Sequence, residues 1–419
     1  MTSSSPPEAS SLQKSYSWRG QWIGYVCLLI LAFFTGLPHS YVRMVGWPWI
    51  VIWQTGFLAF GIWLIWLLRQ FHIPFRRLGH GLDWGLVFTV LVMALSSALA
   101  EFSEVAAWNF VLAASYGLLL YTLRNWIRPA GLTLQRAWLA IVLVGTVTSL
   151  ISLALWRPDP AMWLSNDFYA AIRNPLPLGH HNFVGGYFNL MLPLMVTFAL
   201  SQRGWKRWGC SIASFLAAAA LYASGSRGAI LGTLVLLLVS FGVAILRSRG
   251  RQRRRLILGS LLVLLAGTLI LLSNPRIRGA IPIHWLSNKA GTADVLIQDG
   301  PVLDRYFMLQ AVQNILQSRP LLGVGPGNLS RVYNLYRPIE TGTGSDHVQQ
   351  LHNTPAQIAG ELGFLGIIAY LLWLGCLAYL WLRLDKTLKT SQDRLLLYGV
   401  GGSLLSYGVS SLTDYQLEN

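Results

Sequence analysis

Eleven runs of apolar residues, each close to the length of a bilayer crossing, leave this chain few ways to fold. A spanning helix takes about 20 residues. The runs go from Trp22 to Leu37, Trp47 to Leu68, Leu82 to Leu99, Val105 to Leu123, Ala137 to Trp156 and Phe183 to Leu200. They continue from Gly209 to Ala223, Ala229 to Leu246, Leu256 to Leu272, Phe364 to Leu382 and Leu395 to Leu412. With 54% of its residues hydrophobic and only 11% charged, the chain is far more apolar than a soluble domain. The expectation is an all-α polytopic membrane protein of about eleven transmembrane helices, the first run being a retained anchor.

The formal net charge of +16 does not point to nucleic acid, because the basic residues fall in short clusters between apolar runs. Connectors on one side carry 21 of the 32 Lys and Arg and only four acids, Glu8, Asp83, Asp385 and Asp393. By the positive-inside rule that side is cytoplasmic, and so is the N-terminus. The densest cluster, Arg247 to Arg255, is placed to meet anionic headgroups of the bilayer. The predicted organisation is a Ser- and Pro-rich tail over 1–21 and a bundle of about nine spans over 22–272. A large outer loop over 273–363 and the last spans over 364–419 follow. A shorter outer segment covers 157–182. The three cysteines, Cys27, Cys210 and Cys376, lie in different apolar runs without CxxC spacing and read as small buried hydrophobes.

Chemistry is confined to a few places. Ser224-Gly225-Ser226-Arg227-Gly228 is a polar break between two apolar runs, at the outer end of the span that opens at Ala229. An arginine, two glycines that admit close backbone approach and the N–H groups of a helix start would together suit a phosphate. An interfacial arginine snorkelling to lipid headgroups explains Arg227 as well. In the outer loop a helix is predicted over Asp304 to Gln317, ended by Pro320. Arg305 lies at its start, where a local ion pair with Asp304 is the simpler reading. The run Gly323 to Asn328 reads as a tight turn, and Asp346 to Leu362 as helical with a break before Pro355. His352 and Asn353 precede that re-entry, and a histidine can take a proton from a sugar hydroxyl near neutral pH.

Other site types find no support. His180 and His181 are adjacent, His347 and His352 do not share a helical face, and there is no HExxH, so no metal is expected. GxSxG and P-loop patterns are absent from the sequence. The acids Glu101, Glu104, Asp159, Asp167 and Asp414 read as loop solvation with a supporting role left open.

Four segments carry a family resemblance: SGSRGAILG at 224–232, DRYFMLQAVQNILQSRPLLGVGPGN at 304–328, LHNTPAQIAGELGFLG at 351–366, and LGHHNFVGGYFNLMLP at 178–193. In order, spacing and sidedness they resemble the O-antigen ligase and polymerase superfamily of bacterial membrane glycan transferases. The resemblance covers roughly the second half of the chain. It implies a GT-C-type helical bundle in the bacterial inner membrane, with a helical periplasmic loop and an active site on the periplasmic side. The implied reaction is inverting and metal-independent, without a cofactor. The donor is a glycan on undecaprenyl pyrophosphate, and the acceptor a hydroxyl of a glycan, lipid or protein. Arg227 and Arg305 correspond to the pyrophosphate-binding arginines and His352 to the proposed base, with Asn182, Ser226, Asn353 and Asp414 in supporting positions.

A cyanobacterial branch of the same superfamily carries the name of inorganic-carbon transporter, so a bicarbonate-type transporter is the alternative reading, and a non-catalytic part of a glycan-export complex a third. The family usually has twelve spans, and the eleven here put the C-terminus outside, as in a shortened or truncated member.

Overall fold

The computed structural model describes residues 74–126, 134–158, 173–272, 300–339 and 351–413, with scattered positions between 46 and 69. The predicted span from Trp22, the segment 273–299, His347 and Asp414 lie outside these residues, as does most of the span from Trp47. Among the described residues the regular elements are helices, with no strand. In chain order they are α1 (Leu82–Ala98), α2 (Ser103–Trp126), α3 (Leu134–Leu155), α4 (His181–Ser201), α5 (Gly204–Ala223) and α6 (Arg227–Arg247). Then come α7 (Gly250–Leu272), α8 (Gly300–Ser318), α9 (Leu329–Tyr336), α10 (Thr354–Thr387) and α11 (Ser391–Ser410). Five of these, α2 to α4, α6 and α10, are long and apolar enough to cross a membrane, and α1 is a shorter apolar helix. Of the remaining long helices, α5, α7 and α11 open on charged segments, Lys206 and Arg207, Arg251 to Arg255, and Asp393 and Arg394.

The bundle is organised around α4, which packs against α3, α5, α6 and α11. Its buried face supplies Val184, Phe188, Met195 and Phe198, which meet Trp138 and Val142 of α3 and the alanines Ala213, Ala217 and Ala220 of α5. Between helices that cross a membrane such contacts stabilise through close packing rather than release from water, since lipid tails are as apolar as these side chains. Trp138 also donates from Nε1 to the Leu194 carbonyl at 2.9 Å, and its ring meets Phe198 edge-on at 5.0 Å. On the other side α11 runs antiparallel to α4 at close range: the Ser403 hydroxyl donates to the Leu190 carbonyl at 2.6 Å, and Gly399 lies against Leu194 and Thr197. Small residues at the contact let two backbones approach, the usual means of packing helices in a membrane.

A second, smaller core joins α8, α9 and the start of α10, through Val312, Ile315, Leu329, Val332, Leu351 and Ala359. The Gly323 to Asn328 stretch is the predicted turn, and it is tied down: the Val324 and Gly325 amides donate to the carbonyls of Gly360 and Glu361 at 3.0 and 2.9 Å. Pro355 sits in the first turn of α10, where its missing N–H costs nothing, so the predicted break before it is the start of the helix. The irregularity inside α10 is instead at Gly363, with φ +64°, a conformation that penalises any side chain. A Cβ there would lie 2.5 Å from the Leu321 carbonyl carbon. The kink frees the amides of Phe364 and Leu365 to donate to the carbonyls of Pro320 and Leu321, at 2.8 and 3.2 Å.

At the opposite end of the bundle Arg247 of α6 pairs with Asp385 of α10 at 2.8 Å. Tyr398 of α11 donates to the same carboxylate at 2.8 Å and is also bonded to Arg247. This cluster joins the C-terminal ends of α6 and α10 to the first half of α11.

Candidate functional site

The polar break between α5 and α6 is a turn built by its own serines. The Ser224 hydroxyl donates to the Leu221 carbonyl at 2.5 Å and accepts from the Ser226 amide at 3.2 Å. Ser226 caps α6, accepting from the Ala229 amide at 3.3 Å, an arrangement that satisfies one of the helix's orphan donors. Both serines are essentially inaccessible, whereas Arg227, the first residue of α6, is exposed. The turn is clamped from two sides. Gly185 of α4 lies so close that a Cβ would come within 2.6 Å of Ser226 Cβ and 2.7 Å of Ala229 Cβ. The amide of buried Asn174 donates to the Ala223 carbonyl at 2.9 Å, while its side chain donates to the Ser152 carbonyl at 2.9 Å. Asn182 stands one helical turn ahead of Gly185, on the strip of α4 that faces this turn.

Three parts of the chain that are remote in sequence meet at the end of α11. Gly228 packs directly on Ser410 and Thr413, where a Cβ would collide with the Thr413 hydroxyl. Arg305 of α8 donates from Nη2 to the Thr413 carbonyl at 3.3 Å. Asn353 donates from Nδ2 to the Leu412 carbonyl at 3.0 Å, and the Thr354 amide donates to the Ser411 carbonyl at 2.8 Å. Asn353 also caps α10, its Oδ1 accepting from the Ala356 amide at 2.9 Å. His352, the preceding residue, is exposed. The turn that closes α11 satisfies the helix's own last carbonyls, through the amides of Ser411 to Thr413, and its carbonyls in turn take donors from the Arg305 and Asn353 segments.

The structure therefore brings the segments of Arg227, Arg305, His352 and Asn353 to one helix end, with Ser226 and Asn182 at its border. Asp414 lies just past the described residues. Among the described residues neither Arg227 nor Arg305 is in an ion pair. Glu101 lies 4.0 Å from Arg319, so this acid sits at the joint between the α1–α2 turn and the end of α8. His180 serves as the N-cap of α4, and its ring lies 4.5 Å from that of His181, tilted by 43°. Among the described residues there is no cluster of three or more His, Cys, Asp or Glu placed to hold a metal.

Sequence reasoning missed two supports. Gln357 accepts from the Leu351 amide at 2.8 Å and donates to the Glu361 carboxylate at 2.6 Å, which fixes the approach to His352. Its spacing of four from Glu361 on one helix was a readable signal. The role of Ser411 to Thr413 had none, because three of its contacts run through backbone carbonyls that any residue supplies.

Two guanidinium groups of this kind can share an oxyanion through several N–H donors. An adjacent imidazole can accept a proton. Fold and site together define a multi-pass helical membrane protein that gathers two arginines and a histidine around the end of one helix.

The model of the O-antigen ligase family matches residues 212–371, the stretch that carries Arg227, Arg305 and His352, and the match supports the O-antigen ligase and polymerase superfamily for this chain. The end of α11, where the three segments meet, lies beyond the matched residues. No curated protein matches the chain.

Proposed function

We propose that this protein is a membrane glycosyltransferase of the ligase or polymerase type. It transfers a glycan from undecaprenyl pyrophosphate to an acceptor hydroxyl at the periplasmic face of a bacterial inner membrane. The observation that carries the proposal is the meeting of the Gly228, Arg305 and Asn353 segments on Ser410 to Thr413. Their convergence supports Arg227 and Arg305 as the two sides of a pyrophosphate clamp with His352 at its edge.

The reaction follows from those positions. The acceptor oxygen attacks the anomeric carbon of the donor sugar while the bond from that carbon to the phosphate oxygen breaks, and the electron pair leaves with the lipid pyrophosphate. Negative charge grows on the leaving oxygen as the bond lengthens, and fixed guanidinium groups beside it stabilise the transition state more than the ground state. A neutral His352 accepts the proton of the acceptor hydroxyl. Attack from the face opposite the leaving group inverts the anomeric centre. The arginines need a water-poor border zone to act at full strength, and a lipid-borne donor brings its pyrophosphate to such a zone.

Purified protein in proteoliposomes, given a lipid-pyrophosphate glycan and an acceptor, tests this reading. Arg227→Ala, Arg305→Ala and His352→Ala should each lower transfer by at least a hundredfold with the protein still folded, since losing one charge-stabilising donor costs about 10²–10³ in rate and losing a general base about 10²–10⁴. Transfer at wild-type rates in all three variants would remove the proposal.

A further inference from the structure

Three helices meet along one polar seam inside the bundle. On α11, Gly399, Ser403, Ser406 and Ser410 recur at helical spacing on one buried face, which touches α4 at Leu190 and Leu194 and α6 at Gly228. Gly228 and Gly232 lie one turn apart on α6. A Cβ on Gly232 would collide with the Ser406 carbonyl and lie 3.1 Å from Nδ2 of Asn189 on α4, and one on Gly228 would lie 3.4 Å from the Ser410 hydroxyl. Asn189 and Ser406 are each 1% exposed and Ser410 0%.

These polar groups are not paired with one another. Among the described residues, Asn189 Nδ2, Ser406 Oγ and Ser410 Oγ are buried with no hydrogen-bond partner. A serine inside a helix commonly donates to the carbonyl four residues earlier. Ser403 does so, to Gly399 at 3.0 Å, and also reaches the Leu190 carbonyl of α4, whereas the Ser406 and Ser410 hydroxyls do neither. Asn189 gains little on its other side: the Thr233 hydroxyl lies 3.0 Å from both Asn189 Oδ1 and the Ala229 carbonyl and has one proton to donate. One turn further on, Pro193 has no N–H, so the Asn189 carbonyl lacks its α-helical donor. The three orphaned atoms have essentially no surface that water can reach, so hydration cannot satisfy them in this arrangement. Folded proteins pair nearly all their buried polar groups. This seam is instead closed by the packing of glycine on serine and opposed by its own polar atoms.

We infer that the seam between α6 and α11 is a gate within the bundle. It opens when α11 parts from α6 along Gly228 and Gly232, and the water that enters satisfies Asn189, Ser406 and Ser410. The opening bears on the candidate site, because α11 ends in the carbonyls of Ser411 to Thr413, which hold Thr354, Asn353 and Arg305. Those segments move with α11, and Arg227, the first residue of α6, stays behind. The gate therefore sets the separation of Arg227 from Arg305 and His352. It goes beyond the transferase reading and does not depend on it.

Thiol trapping tests the gate on full-length protein in nanodiscs, with Cys27, Cys210 and Cys376 replaced by serine or alanine. Ser410→Cys and Ser406→Cys each place a thiol of nearly the native size in the seam. Ala217→Cys and Ala220→Cys, at positions 0% exposed in the core between α3, α4 and α5, are the references. A small water-soluble methanethiosulfonate should label the seam thiols under native conditions at least about tenfold faster than the references, since a local opening needs less than unfolding of the bundle. Adding Ser406→Ala to Ser410→Cys should slow labelling severalfold and leave the thermal midpoint level or higher, because it relieves the closed form of one orphaned group. Serines that only fill space would do the reverse, with a lower midpoint and faster labelling. Equal rates at seam and reference thiols, no labelling at either seam position, or unchanged or faster labelling on adding Ser406→Ala would each overturn the gate.

Discussion

Gly228 shows how much a single missing side chain can set. From the sequence its role was backbone approach to an anion; in the structure the limiting neighbour is the chain itself, Ser410 and Thr413. A methyl group at 228 must displace the Thr413 hydroxyl or push α6 away from α11. Overpacking of a close contact costs about 1–3 kcal/mol. Gly228→Ala is therefore expected to lower the thermal midpoint of the detergent-solubilised protein. Adding Thr413→Ala should recover much of that loss, because it removes the atom the methyl group meets. A double-mutant cycle measures the coupling between the two sites. Strict additivity would show that the two residues are not in contact in solution. The motif was legible in the sequence and its cause was not, since the glycine's neighbours, Ser410 and Thr413, come from the far end of the chain.

At the scale of the element, α10 carries two functions that its sequence only partly announces. Its cap was readable: Asn353 one residue before Thr354-Pro355 is a helix-start signature. The same side chain also reaches across to α11, and the two roles use different atoms, Oδ1 for the cap and Nδ2 for the Leu412 carbonyl. Substitutions can separate them. Asn353→Ala loses both and should cost about 0.5–2 kcal/mol for the cap alone. Asn353→Asp keeps an acceptor for the Ala356 amide but sets a carboxylate oxygen against the Leu412 carbonyl. Aspartate should thus fall nearer wild type than alanine in thermal unfolding, while its transfer activity drops as far as alanine's. Activity that tracks stability in both variants would reduce Asn353 to a cap. The boundary at Gly363 was legible, as the gap between a helix ending at Leu362 and a span opening at Phe364, but its cause was not: the bend answers to the carbonyls of Pro320 and Leu321, which come from another element.

For the whole molecule, the pattern most legible in the sequence was the charge of its connectors. The structure gathers the SGSRG turn, the start of α10 and the end of α11 at one end of the bundle, and the ends of α6 and α10, joined through Arg247, Asp385 and Tyr398, at the other. The basic run Arg249 to Arg255 continues from that second end into α7. In the proposed orientation, attraction of Lys and Arg to the cytoplasmic leaflet would give the two ends opposite compartments. Under the proposed function the clamp end must face the periplasm, because the donor is presented there. Site-directed labelling checks the orientation without any assumption about catalysis. In a background where Cys27, Cys210 and Cys376 are replaced by serine or alanine, Gln317→Cys at the exposed end of α8 should react with a membrane-impermeant maleimide on intact spheroplasts. Arg249→Cys, exposed beyond the end of α6, should react only after permeabilisation. The reverse pattern would put the arginines and the histidine in the cytoplasm, where an outer-leaflet donor cannot reach them, and would exclude the transferase reading even if every residue of the site were correctly placed. Labelling of both positions in intact spheroplasts would place α8 and the end of α6 on one side, in conflict with the antiparallel packing of α6 and α11 that brings Gly228 to Thr413.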